Sequence, residues 1–138
     1  MDEFLIPSAT GTGGLLFYNR SPSERTLPFN CFWVRVWDQN LVAATRVFAG
    51  YIPSHPGSLF AAINSQWSGR SGTITWCALE GELSLSCTHD QLGHIAIEVE
   101  MQSSSWDNTW QVKATVITEA GQLESLARKA ASFFGCES

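Results

Sequence analysis

The chain is short of basic residues, closely spaced cysteines and long apolar runs, and each shortage removes a class of function. Eight Lys and Arg stand against 13 Asp and Glu, for a formal charge of −5, and the basic residues are scattered. Phosphate backbones are held by clustered cations, so nucleic-acid binding is not expected. Cys31, Cys77, Cys87 and Cys136 contain no Cys-x-x-Cys pair, which removes the usual spacing of a zinc or dithiol site. They are expected to be reduced thiols, the first three on strands as small buried hydrophobes. No stretch approaches the roughly 20 apolar residues that span a bilayer. The amino terminus carries Asp2 and Glu3 where an export signal would be positive, so a soluble, cytoplasmic protein is expected. Residues 8–14 are rich in glycine, but no Gly-Lys-Ser/Thr follows, and they read as a flexible turn instead of a phosphate loop.

What the chain does have is aromatic mass and regular patterning. Its 138 residues, 44% hydrophobic, include six Trp and eight Phe, enough for one core and a single domain over 1–138. From Leu83 to Cys87, Ile95 to Met101 and Val112 to Val116, apolar residues occupy every second position. That period puts one face of a strand toward a core and the other toward water. Further strands are predicted at Leu15–Asn19, Asn30–Trp37, Leu41–Tyr51 and Thr73–Leu79. Asp38, Gln39 and Asn40 form one turn, and Glu80 with Gly81 another.

Two segments change period. Leu59, Phe60, Ile63 and Trp67 predict a short helix over 58–67. Leu123, Leu126, Ala127, Ala130, Phe133 and Phe134 predict a closing helix, with Gly135 at its left-handed C′ position. Burying Phe133 and Phe134 should contribute about 1.5–3 kcal/mol each. The expected fold is α+β: a mainly antiparallel sheet in the order β-β-β-α-β-β-β-β-α, with the C-terminal helix packed on one face. No internal repeat or linker divides the chain.

Catalytic geometry is hard to find. His89, Asp90 and His94 could ligate a metal or move protons, but they fall in a polar turn where Asp and Gly serve the backbone, and no further ligand is evident. Cys87 and His89 share strand parity, yet Cys87 belongs to the core-facing series and lacks the access that a reactive thiolate needs. No Gly-x-Ser-x-Gly anchors a hydrolase triad. Neither a catalytic residue nor a metal or cofactor is assigned. Glu98 and Glu100 share a face with His94 beside Ser84, Ser86, Gln111 and Thr115, which suits a patch for a basic partner. Trp33 and Trp37 line one strand face, and Trp106 and Trp110 bracket residues 107–109. Aromatics of this kind are enriched in interface cores and hot spots, and neighbouring acids would complement a basic partner.

The tail from Trp110 through Ala114, Glu119, Gly121, Leu123 and Leu126 to Phe133, Phe134 and Gly135 resembles small bacterial α+β proteins, some of them similar to immunity proteins of polymorphic or contact-dependent toxin systems. The resemblance covers mainly residues 82–135 and lies in a strand-to-helix packing pattern. It implies a non-enzymatic binding module that neutralises a cognate toxin, without supplying catalytic residues. Partner binding is then expected at Trp37, Asp38, Glu98, Glu100, Trp106 and Asp107, where the acids would steer a basic toxin. Two other readings remain open. One is a small-ligand protein or enzyme with a pocket between sheet and helix near Cys87, His89 and His94; the other is an assembly subunit pairing through a sheet edge.

Overall fold

The computed structural model describes residues 3–21, 31–49, 55–66, 72–90, 92–103 and 109–135. Eight strands form two antiparallel four-stranded sheets, each a simple meander. The first contains β1 (Glu3–Pro7), β2 (Gly14–Ser21), β3 (Cys31–Asp38) and β4 (Leu41–Phe48), and is followed by α1 (Gly57–Gln66). The second contains β5 (Gly72–Cys77), β6 (Leu83–His89), β7 (His94–Gln102) and β8 (Gln111–Glu119). A 3-10 turn at Ala120–Gln122 then leads into α2 (Leu123–Phe134).

The expected order is present, preceded by one more strand, β1, and its strands divide between two sheets. The chain is therefore two ββββα units in tandem, a repeat of architecture that its residues do not display. The first hairpin turn of each unit is built the same way. Ser8 N–H donates to Gly13 O (3.2 Å) and Gly11 N–H to Ser8 O (3.2 Å). In the second unit Ala78 N–H donates to Leu83 O (2.9 Å) and Gly81 N–H to Ala78 O (3.1 Å). Gly11 and Gly81 take φ of 88° and 79°, a left-handed conformation that a side chain would oppose, which is why both turns use glycine there. The turn before β2 is thus ordered by its own hydrogen bonds.

Both sheets turn their alternating apolar residues into one core. Phe4, Ile6, Leu15, Phe17, Phe32, Val34 and Val36 come from the first sheet, and Leu83, Leu85, Ile95, Ile97, Val99 and Met101 from the second. The two helices pack on each other; α1 also touches β5 and α2 touches β1, so each reaches the first strand of the opposite unit. Phe134 of α2 meets Phe17 and Phe32 edge-on at 5.6 and 5.3 Å between centroids, a preferred aromatic geometry. Leu123, Leu126, Ala130 and Phe133 complete its buried stripe, and Gly135 ends it in the left-handed conformation.

Polar contacts also tie the halves together. The Glu82 carboxylate, buried in the β5–β6 turn, accepts the Phe48 N–H of β4 at 3.2 Å. Ala9 N–H donates to Ile117 O of β8 at 2.7 Å. Each satisfies a backbone group at a strand end or edge that would otherwise lack a partner.

A bulge in β2 changes what that strand buries. The register slips between Tyr18 and Ser21, with Asn19 at φ 49°, and the alternation that buries Leu15 and Phe17 then places Arg20 inside. Its Nη1 donates to Phe133 O at 3.0 Å, satisfying a carbonyl of the last turn of α2, where a cation also suits the helix dipole. The cysteines depart from expectation in part. Cys87 is buried, but Cys31 is only half-buried and Cys77 is exposed, because both lie at outward positions of their strands.

Candidate functional site

Trp33, Arg35 and Trp37 alternate with the buried Phe32, Val34 and Val36, so β3 presents them on the outer face of the first sheet. The pairing register builds a grid around them. Trp33 lies between Tyr18 and Arg46, Arg35 between Leu16 and Ala44, and Trp37 between Gly14 and Val42. Leu5 and Phe48 extend the same face. Val42 is 73% exposed, Leu5 44%, Phe48 41% and Trp33 37%. A contiguous apolar face of this kind usually marks an interaction surface.

Its rings are positioned by neighbours. The Tyr18 and Trp33 rings lie 6.3 Å apart at an interplanar angle of 31°. The Arg35 guanidinium sits over the Tyr18 ring, 5.1 Å from its centroid, a cation–π distance. Trp37 lies against Gly14, where an added Cβ would come within 2.9 Å of its ring. Only the missing side chain lets the indole settle onto the sheet.

The outer face of the second sheet has different chemistry. Across β6, β7 and β8, Ser84, Glu100 and Lys113 stand in one row and Ser86, Glu98 and Thr115 in the next. Lys113 pairs with Glu100 at 3.0 Å, which raises the lysine pKa. A concavity of about 430 Å³ touches Ser84, Glu100, Gln111 and Lys113.

At the other end of the same sheet, the carboxylate of Asp90 accepts the N–H groups of Leu92 (2.8 Å) and His94 (3.0 Å). The His94 Nδ1 lies 3.1 Å from Asp90 and its Nε2 3.8 Å from Glu119. The backbone bond from His94 is the main cause holding Asp90 below the usual carboxylate range. Its hydrogen bond to Asp90, then the Glu119 charge, raises His94. An open concavity of about 470 Å³ is lined by Thr88, His89, Asp90, His94, Ala96 and Ile117. It opens on the outer side of the sheet. Cys87 faces the core instead, and burial pushes its thiol up to about 12, leaving it protonated at neutral pH. Among the described residues no group of three His, Cys, Asp or Glu could hold a metal ion. No described helix is long and apolar enough to cross a membrane.

A model for a family of unknown function, DUF6228, matches residues 6–137. The chain belongs to the DUF6228 family. No curated protein and no solved structure matches it, and nothing in these comparisons links the DUF6228 chain to immunity proteins.

The described residues expected to bind a partner in this DUF6228 protein fall on two different sheets. Trp37 and Asp38 belong to the first sheet, Glu98 and Glu100 to the second, and Trp106 and Asp107 lie outside the described residues. Trp37 and Trp33 were legible from strand parity. Tyr18, Arg35, Arg46, Val42 and Phe48 were missed as a group, although outward parity was available for each, and Leu5 was missed with its strand. What the sequence lacked was register, which decides that these positions are neighbours.

Proposed function

We propose that this protein is a non-enzymatic protein-binding module whose binding surface is the outer face of the first sheet. The observation that carries this reading is the cluster of Trp33, Tyr18 and Arg35, held together in the open by a ring contact and a cation–π contact. Trp, Tyr and Arg are the residues most enriched at binding hot spots; Trp and Tyr offer large contact areas with little conformational freedom to lose. Leu5, Val42 and Phe48 would supply the surrounding apolar area. In its most concrete form the partner is a toxin that this protein neutralises by covering its active site or a neighbouring surface. Steering by acidic residues then has less support than anchoring by aromatics, since Glu100 is already paired with Lys113.

The direct trial is coexpression with the protein encoded beside this one. A stable complex, together with survival of cells that the neighbour alone kills, supports the toxin-neutralising form. A complex without any protective effect leaves binding and removes the toxin. A monomer that neither binds nor protects counts against both.

A further inference from the structure

The surface just described carries a charge opposite in sign to the whole molecule, and this deepens the reading above, on which it rests. Arg35 and Arg46 are both exposed on the aromatic face. No carboxylate among the described residues lies within ion-pair distance of either. Glu3, opposite Tyr18 on the edge strand, is the acid that β1 contributes to this face. Each arginine therefore has donors available on a surface flanked by apolar rings.

Arg35 is the better prepared of the two. Its guanidinium lies over the Tyr18 ring, a contact that leaves its edge N–H groups free to bond, and a carboxylate can accept two of them side by side. Arg46 pairs with Trp33 and Arg35 with Ala44, which makes the two arginines diagonal neighbours about 7–8 Å apart, with their Cβ atoms somewhat closer. Alternate residues of an extended segment are separated by nearly the same distance, about 7 Å. We infer that this face receives an extended acidic, apolar segment of a partner protein, with carboxylates at two alternate positions on Arg35 and Arg46 and apolar side chains at the flanking positions of the same parity against Trp33 and Trp37. Glu98 and Glu100, on the second sheet, suit a basic partner. On this face the local charge reverses that choice.

Two short capped peptides provide the probe, Leu-Ser-Glu-Ser-Glu-Ser-Leu, whose Leu and Glu share one face when extended, and the same peptide with Lys for both Glu, titrated into the intact protein while the tryptophan indole and arginine side-chain NMR signals are followed. The Glu peptide should shift the signals of Trp33, Arg35 and Trp37, and the Lys peptide should not. Arg35→Gln with Arg46→Gln, two exposed changes whose fold is checked by circular dichroism, should weaken the Glu peptide by about tenfold. Equal binding of both peptides, or indifference to the arginine changes, would overturn the acidic partner and leave an aromatic binding face. Binding of neither peptide, with signals unmoved, would count against the face itself. Concentration-dependent dimerisation abolished by the same substitutions, with no peptide response, would assign the face to a second copy of this chain and overturn the inference.

Discussion

Trp37 rests on Gly14 of the neighbouring strand, so closely that a Cβ on Gly14 would lie 2.9 Å from Cζ2 and 3.0 Å from Cη2 of the indole. The same Cβ would also meet the Ile6 carbonyl oxygen at 3.0 Å. A ring can tilt away, but backbone held in the β1–β2 ladder yields less readily. Gly14→Ala should therefore cost about 1–3 kcal/mol, in the range of overpacking. Urea unfolding would show it as a lower midpoint with an unchanged slope, and near-ultraviolet circular dichroism would register the displaced indole. An unchanged midpoint would mean that Trp37 is not seated on the sheet.

Arg20 links the β2 bulge to the end of α2 through its bond to Phe133 O. Arg20→Met keeps much of the aliphatic stem but leaves that carbonyl without its charged donor. A loss of about 1–3 kcal/mol is expected, read by the same unfolding assay. If the variant is as stable as the parent, the contact contributes no net stability.

Phe134 is enclosed by Phe17, Phe32, Phe133 and the His55 ring, the last stacked at 4.8 Å. Truncating it to Ala removes all four ring contacts from a buried site. The expected penalty is about 3–5 kcal/mol, enough to abolish cooperative unfolding if the parent is only marginally stable. A loss below that range would show that the two helices close over the gap.

His94 and His55 respond to pH in opposite senses. Asp90 and Glu119 raise His94 above its ordinary 6.5, so its contribution to stability is complete below that value and disappears as pH rises through the folded pKa. Asp90 is depressed below 3.8; its contribution is present above that value and is lost as pH falls through the folded pKa. Burial, and then the Arg20 charge, lower His55. Neutral His55 Nδ1 accepts the Gly57 N–H at 3.1 Å, so its contribution is present above 6.5 and fades as acid protonates the ring. Imidazole NMR titrations should separate the two histidines, His94 above and His55 below the ordinary value. His94→Gln should lower thermal stability most between the ordinary Asp and His values, about pH 4 to 6.5, and progressively less at higher pH. Coincident titrations would contradict this assignment.

Much of the fold was legible because period-2 burial is a local signal. Leu83 to Cys87 and Ile95 to Met101 bury every second residue as their patterns require, and α2 buries the expected stripe. β1 was passed over because only Phe4 and Ile6 mark its inward face, too few to distinguish from an extended tail. The division into two sheets depends on which strands pair, a long-range choice that no local period records. Arg20 was hidden for a related reason: a one-residue bulge reverses strand parity, and nothing around Asn19 announces it. The candidate surface was half visible, since Trp33 and Trp37 stand out along β3. Their neighbours on β2 and β4 emerge only once the register is known.

The most direct measurement is the affinity of the neighbouring gene's product for the parent protein and two variants, by isothermal titration calorimetry. If the aromatic face is the binding surface, Trp33→Ala should weaken the complex by about thirtyfold or more, as loss of a hot spot does. Glu98→Gln with Glu100→Gln, on the other sheet, should leave it within about twofold, as expected outside a hot spot. Full affinity after Trp33→Ala, with binding lost on neutralising Glu98 and Glu100, would contradict the assignment and move the site to the second sheet.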